Sequence, residues 1–189
     1  GCIGDVFRIS AKNIFLEYAS QCPDKEKVTG IILKLIENNN YGARNNLIDC
    51  AGECLNESII RNMISHIRKR ADKENNKYKK RSYYSLIESL ARQIKDPELF
   101  EKTRIASRGK TPTAVKIDIA RVYLESGEPD TALSWLNEIH DDESFLYHER
   151  EQLLIEVYQQ LGDNGKLTEL LFRRFRNHHS MRTLQDLLD

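Results

Sequence analysis

The stretch Val122-Tyr123-Leu124-Glu125-Ser126-Gly127 returns about 35 residues later as Val157-Tyr158-Gln159-Gln160-Leu161-Gly162. Each copy reads as a helix end closed by glycine. Each is followed by a second apolar-periodic segment: Ala132, Leu133 and Leu136 after the first, Leu167, Leu170 and Leu171 after the second. A helix, a glycine turn and a helix at this period predict an array of helical hairpins, because each hairpin buries its apolar face against the next one.

Helix start and stop signals extend this reading in both directions, and strand signals are nearly absent. Asp5 is expected to cap a first helix that buries Val6, Ile9, Ile14 and Phe15, and Pro23 to open a second carrying Val28, Ile31, Ile32, Leu35 and Ile36. Asn38 to Gly42 reads as a turn, and Leu47, Ile48, Ala51 and Leu55 as one face of the next helix. Asn56 caps its hairpin partner, striped by Ile59, Ile60, Met63, Ile64 and Ile67.

Apolar periodicity lapses from Asp72 to Lys80, which predicts a mobile basic loop over 72–81. It resumes with Tyr84, Leu86, Ile87, Leu90 and Ile94. Asp96-Pro97 and Thr111-Pro112 each read as a cap plus first turn, with Gly109 ending the helix between them. The helix after Pro112 is expected to bury Val115, Ile119, Ala120 and Tyr123. Pro129 opens the helix that carries Trp135, Ser144 opens the next, and Ser180 caps a short last helix whose Leu184, Leu187 and Leu188 are suited to cover the end of the array. The expectation is an all-α, helical-hairpin solenoid of about ten helices, forming a single domain over residues 1–189.

Tyr123, Gly127 and Ala132 reproduce the large aromatic, the turn glycine and the small close-approach residue of tetratricopeptide repeats. The second copy keeps Tyr158 and Gly162 but has Leu167 where the first has Ala132, so the pair resembles a degenerate, tetratricopeptide-like array. Three further stretches resemble an uncharacterised bacterial helical-repeat family, a domain of unknown function that often follows a SWIM-type zinc finger. They are Gly1-Cys2-Ile3-Gly4-Asp5-Val6, the turn Tyr41-Gly42-Ala43-Arg44 leading into Leu47-Ile48-Asp49, and Ala132-Leu133-Ser134-Trp135-Leu136. The resemblance implies an intracellular bacterial scaffold and no catalytic residue. The chain starts without methionine and reads as a fragment, so any such finger is expected outside it.

The 189 residues are 40% hydrophobic and 31% charged, enough to build a continuous core. Four cysteines occur without a signal peptide or a membrane-length apolar run, which reads as reduced thiols in a cytoplasmic protein with no membrane partner. Lys+Arg and Asp+Glu balance at 29 each, yet unevenly along the chain. Nine cations between Arg61 and Arg81 face only Asp72 and Glu74, whereas between Glu125 and Asp163 eleven acids face Arg150 alone.

Little of this spells chemistry. Cys50 and Cys54 share a spacing that can donate two thiolates, but Cys2 and Cys22 do not form the second pair a zinc site needs, and the neighbouring Ala51 and Leu55 point to buried, inert thiols. His178-His179 follow Arg173, Arg174 and Arg176 as a solvated helix end with no nucleophile motif, and Asp141-Asp142-Glu143 read as an exposed loop. No catalytic residue, cofactor or metal is expected.

The leading expectation is a non-enzymatic scaffold that holds a peptide or protein partner in a groove with Lys116, Arg121, Arg150 and Arg173 on its lining helices. The alternative is nucleic-acid binding through Arg68, Lys69, Arg70, Lys77, Lys79, Lys80 and Arg81. Tyr78, Tyr83 and Tyr84 would supply stacking surfaces there.

Overall fold

The structure, a computed structural model, describes residues 3–37, 45–140 and 145–188, and side chains from residue 9 onward. Among the described residues the protein is all-helical, with eleven α-helices and no strand. Their contacts group the chain into two compact units, residues 1–109 and 110–189.

Unit 1 holds α1 (Ile3–Gln21), α2 (Lys25–Glu37), α3 (Asn46–Asp49), α4 (Glu57–Lys73), α5 (Lys77–Gln93) and α6 (Pro97–Arg108). Its core is the apolar stripe of α4 (Ile60, Met63, Ile64, Ile67) set against Val28, Ile32 and Ile36 of α2 and Leu86, Ile87 and Leu90 of α5. The caps read from the sequence are present: Asn56 accepts from Ile59 N–H at 3.0 Å and Asp96 from Leu99 N–H at 3.0 Å, while Gly109 ends α6 at φ 70°.

Several expectations for unit 1 are corrected. Asp5 lies inside α1 instead of capping it, and Ile9 and Ile14 are exposed, so α1 feeds the core through Ala19 and partly buried Phe15. The segment 72–81 is not a loop. Helix α4 runs on to Lys73, only Glu74 to Asn76 connect, and Asn76 caps α5 by accepting from Tyr78 and Lys79 N–H at 3.0 and 3.2 Å. Propensity and capping carry a helix here without an apolar stripe. The Asn38–Gly42 turn, the Tyr41–Arg44 segment and Ser144 lie outside the described residues.

The continuous helix expected over 47–55 is instead α3 followed by a 3-10 turn, Ala51–Glu53. A break of this kind leaves backbone groups unpaired. Gln93 at the end of α5 bridges the break: its oxygen accepts from Gly52 N–H at 2.6 Å and its amide donates at 2.7 Å to Ile48 C=O, which also accepts from Cys50 N–H. Gly52 permits that approach, since a Cβ there would stand 3.1 Å from the Gln93 oxygen. Nearby, Ser89 donates to Asp49 at 2.7 Å.

Unit 2 holds α7 (Thr113–Glu125), α8 (Pro129–Asn137), α9 (Tyr147–Leu161), α10 (Asn164–Asn177) and α11 (Met181–Leu188). The repeated stretch closes α7 and α9 with the same hydrogen bonds. Glu128 N–H reaches Tyr123 C=O at 2.9 Å and Gly127 N–H reaches Leu124 C=O at 3.1 Å; Asp163 reaches Tyr158 at 3.0 Å and Gly162 reaches Gln159 at 3.2 Å. Both are Schellman closures, and they require the left-handed φ of 83° at Gly127 and 67° at Gly162. Helix α9 packs on both α7 and α8, around Ile119, Tyr123, Ala132, Leu136, Leu153 and Val157.

Two end signals differ from expectation. Thr111 does not cap α7, because Pro112 occupies that position without a side-chain bond. Ser180 does cap α11, accepting from Thr183 N–H at 3.2 Å; Leu184 and Leu187 are partly buried, whereas Leu188 is exposed. Helices α9, α10 and α11 are joined through Glu151, only 3% exposed, which accepts from the Tyr147 hydroxyl at 3.0 Å and pairs with Arg174 at 3.5 Å; Arg174 also reaches Asp186 at 3.6 Å.

Two stability measurements test these ties. Gln93→Ala should lower unfolding stability in urea by about 1 kcal/mol, since it removes the bonds to Ile48 C=O and Gly52 N–H while Ile48 C=O keeps the Cys50 N–H. Glu151→Ala should cost about 2 kcal/mol by removing the acceptor shared by Tyr147 and Arg174, although Arg174 keeps Asp186. Burial first, then the Glu151 bond, hold the Tyr147 phenol above its usual 10.0. That contribution is present below pH 10 and is lost as pH rises through the folded value, so Tyr147→Phe should flatten the alkaline limb of a pH–stability curve.

Candidate functional site

The basic run that the sequence presents as one segment is divided by the fold into two groups. On α4 its arginines serve structure. Arg61 bonds Asp96 and Glu57, each at 2.8 Å, Arg68 donates to Thr103 Oγ1 at 3.3 Å, and Arg70 pairs with Glu37 of α2. Lys69 is exposed on the same helix.

The second group forms a cleft. Helices α5 and α6 make a hairpin joined by Ile94–Asp96, which brings the end of α6 to the start of α5. Lys77, Tyr78, Lys80, Arg81 and Tyr84 from α5 and Arg108 from α6 line a cleft of about 350 Å³, with Ala106 and Ser107 completing its wall. Every charged residue in that lining is a cation. Tyr78 is 86% exposed, whereas Tyr84 is partly buried against the core and forms a fixed wall. Lys79 is exposed on α5 but does not line the cleft. Glu74, just before α5, is occupied as an acceptor for Asn76 N–H at 2.8 Å.

In unit 2 two of the four groove candidates, Lys116 and Arg150, are placed at the same helix end. Lys116 donates to the Glu138 carbonyl at 2.7 Å and pairs with the same residue's carboxylate at 3.5 Å, while Arg150 donates to the Leu136 carbonyl at 3.2 Å. Both therefore close the C-terminal end of α8, where cations satisfy orphan carbonyls and oppose the helix dipole. Arg121 is half-buried on α7. Arg173 lines a cleft of about 300 Å³ between α9 and α10, with Leu154, Tyr158, Lys166, Glu169 and Leu170. There the Lys166 ammonium stands 5.7 Å from the Tyr158 ring centre.

The structure adds Arg108 and Lys166 to the candidate site residues, and places Tyr158, read from the sequence as a repeat position, in a cleft. Arg108 lies outside the basic run, and only the antiparallel return of α6 carries it to Lys77; nothing local in the sequence signals that.

Cys50 is buried and its thiol donates to Asn46 C=O at 2.8 Å, while Cys54 is half-buried. Burial is the main cause that pushes Cys50 up to about 11, and it raises Cys54 as well. Among the described residues no group of three or more His, Cys, Asp or Glu side chains is placed to hold a metal ion. The His148 and His178 rings are 5.7 Å apart, and His179 stands edge-on to Phe175. The acidic triplet Asp141–Glu143 lies outside the described residues. No helix among the described residues is long and apolar enough to cross a membrane.

The thiol environment has a direct readout. At pH 8 only about a thousandth of Cys50 is thiolate, against roughly a quarter of an ordinary cysteine. Iodoacetamide should therefore label Cys50 at least about 100-fold more slowly in the folded chain than in urea, as followed by peptide mass spectrometry.

No family model, curated protein or solved structure matches this chain.

Proposed function

We propose that the chain is a non-enzymatic interaction scaffold of the tetratricopeptide-like kind, in which the hairpins of unit 2 hold a peptide or protein partner. The observation that carries this reading is the pair of identical Schellman closures one repeat apart, with α9 seated on both helices of the preceding hairpin. That is how stacked hairpins make a rigid frame with an extended recognition face. The resemblance to the bacterial helical-repeat family and a cytoplasmic location belong to the same proposal, in keeping with the unpaired thiols of Cys22, Cys50 and Cys54.

Of the groove candidates, Arg173 is the one whose setting fits a partner. Its cleft brings Arg173, Lys166 and Glu169 together with the apolar Leu154 and Leu170, and Lys166 also pairs with Asp163 at 3.5 Å, which leaves Arg173 as the main cation for a partner. A peptide that places a carboxylate on Arg173 and an apolar side chain on the leucines suits that arrangement. Lys116 and Arg150 would act indirectly, by holding α8 in place.

A phage-displayed peptide library panned on the immobilised chain tests this directly. Peptides that combine acidic and apolar residues should be enriched, and Arg173→Glu should weaken them by about tenfold or more. Enrichment of no motif, or of one indifferent to Arg173→Glu, would overturn the reading.

A further inference from the structure

Unit 1 carries a separate surface whose composition points to another class of ligand. Four cations, Lys77, Lys80, Arg81 and Arg108, converge on the α5–α6 cleft with no acid in its lining. Collecting like charges in a concave site is unfavourable for the isolated protein and favourable toward a polyanion. Elsewhere in unit 1 arginines are matched with acceptors, as in Arg61–Asp96 and Arg70–Glu37. Beside the cations stands Tyr78, the most exposed of the large hydrophobic side chains described, with a ring face open to solvent. The helix start itself is not the attraction, because Asn76 already takes the Tyr78 and Lys79 N–H groups.

We propose that this cleft binds single-stranded nucleic acid, with backbone phosphates on Lys77, Lys80, Arg81 and Arg108 and an unpaired base stacked on Tyr78. Cations tracking a backbone beside an aromatic platform are the elements of sequence-tolerant single-strand binding. A duplex keeps its bases stacked inward and offers Tyr78 nothing but phosphate. An anionic membrane would also meet the charges, and the vesicle arm of the test distinguishes it from the oligonucleotide. The site differs from the basic run read as a segment: Arg68 and Arg70 leave it for Thr103 and Glu37, and Arg108 joins it. It stands apart from the peptide reading of unit 2, so either can fail alone.

The test is fluorescence anisotropy of the full chain with a labelled oligothymidylate, its duplex with oligoadenylate, and phosphatidylserine vesicles followed by co-sedimentation. The oligothymidylate should bind more tightly than the duplex, and log affinity should fall against log salt with a slope of roughly −3 for four phosphate contacts. Lys80→Glu with Arg81→Glu should lower affinity at least about tenfold and reduce the slope by about half. Tyr78→Ala should lower it roughly 5- to 100-fold with the slope unchanged, because stacking releases no counterions. Lys69→Ala, which removes a charge outside the cleft, should change it less than about twofold. Tyr78 is exposed, so its substitution leaves the fold intact, as circular dichroism would verify. No binding to oligothymidylate at low salt, equal affinity for the duplex with Tyr78→Ala silent, or adhesion to vesicles in place of the oligonucleotide would each overturn the proposal.

Discussion

A short helix leaves carbonyl and amide groups at its ends that no residue of its own can pair, and this protein is assembled around side chains from neighbouring helices that meet that demand. Lys25 of α2 donates to Ala19 and Ser20 carbonyls at the end of α1. Gln93 of α5 spans the break after α3, and Lys116 of α7 and Arg150 of α9 close α8 from two sides. Each bond joins elements that are separate in sequence, so pairing a backbone group also sets how two helices meet. The apolar stripes supply most of the favourable burial; these polar ties choose the register in which the stripes are buried.

That division of labour explains which features were legible in the sequence. The repeated stretch ending at Gly127 and Gly162, the Asn56, Asp96 and Ser180 caps and the Gly109 stop are local: the residue that signals the feature also makes it. The exposure of Ile9 and Ile14 was not legible, because periodicity says which residues share a face and not whether another element covers it. Nor was the break between Ile48 and Leu55, whose apolar spacing suits a helix while its stability depends on Gln93, some 40 residues away. The basic loop over 72–81 failed for a related reason, since lysine and arginine are good helix formers and Asn76 needs no apolar neighbour to cap.

The candidate sites follow the same logic. Charge counted along the chain suggested one basic face and one groove, but charge in the fold is sorted by what it touches. Arg61, Arg68, Arg70, Lys116 and Arg150 are engaged with acids, a hydroxyl or carbonyls, whereas Lys77, Lys80, Arg81 and Arg173 line clefts. The two proposed ligands of this protein are therefore assigned to the cations that line clefts.

The first turn of α5 carries Lys77, Lys79 and Lys80 and no acid, so like charges meet at the positive pole of the helix. Such a turn frays more readily than its caps alone would suggest. Dissolved ions that screen this repulsion tighten it, although the same ions loosen exposed pairs such as Arg61 with Glu57. Unit 1 therefore contains stretches, one at each end of the α4–α5 pair, whose local order responds to ionic strength in opposite directions, and an anion held between Lys77 and Arg108 would act on the turn as a permanent counterion.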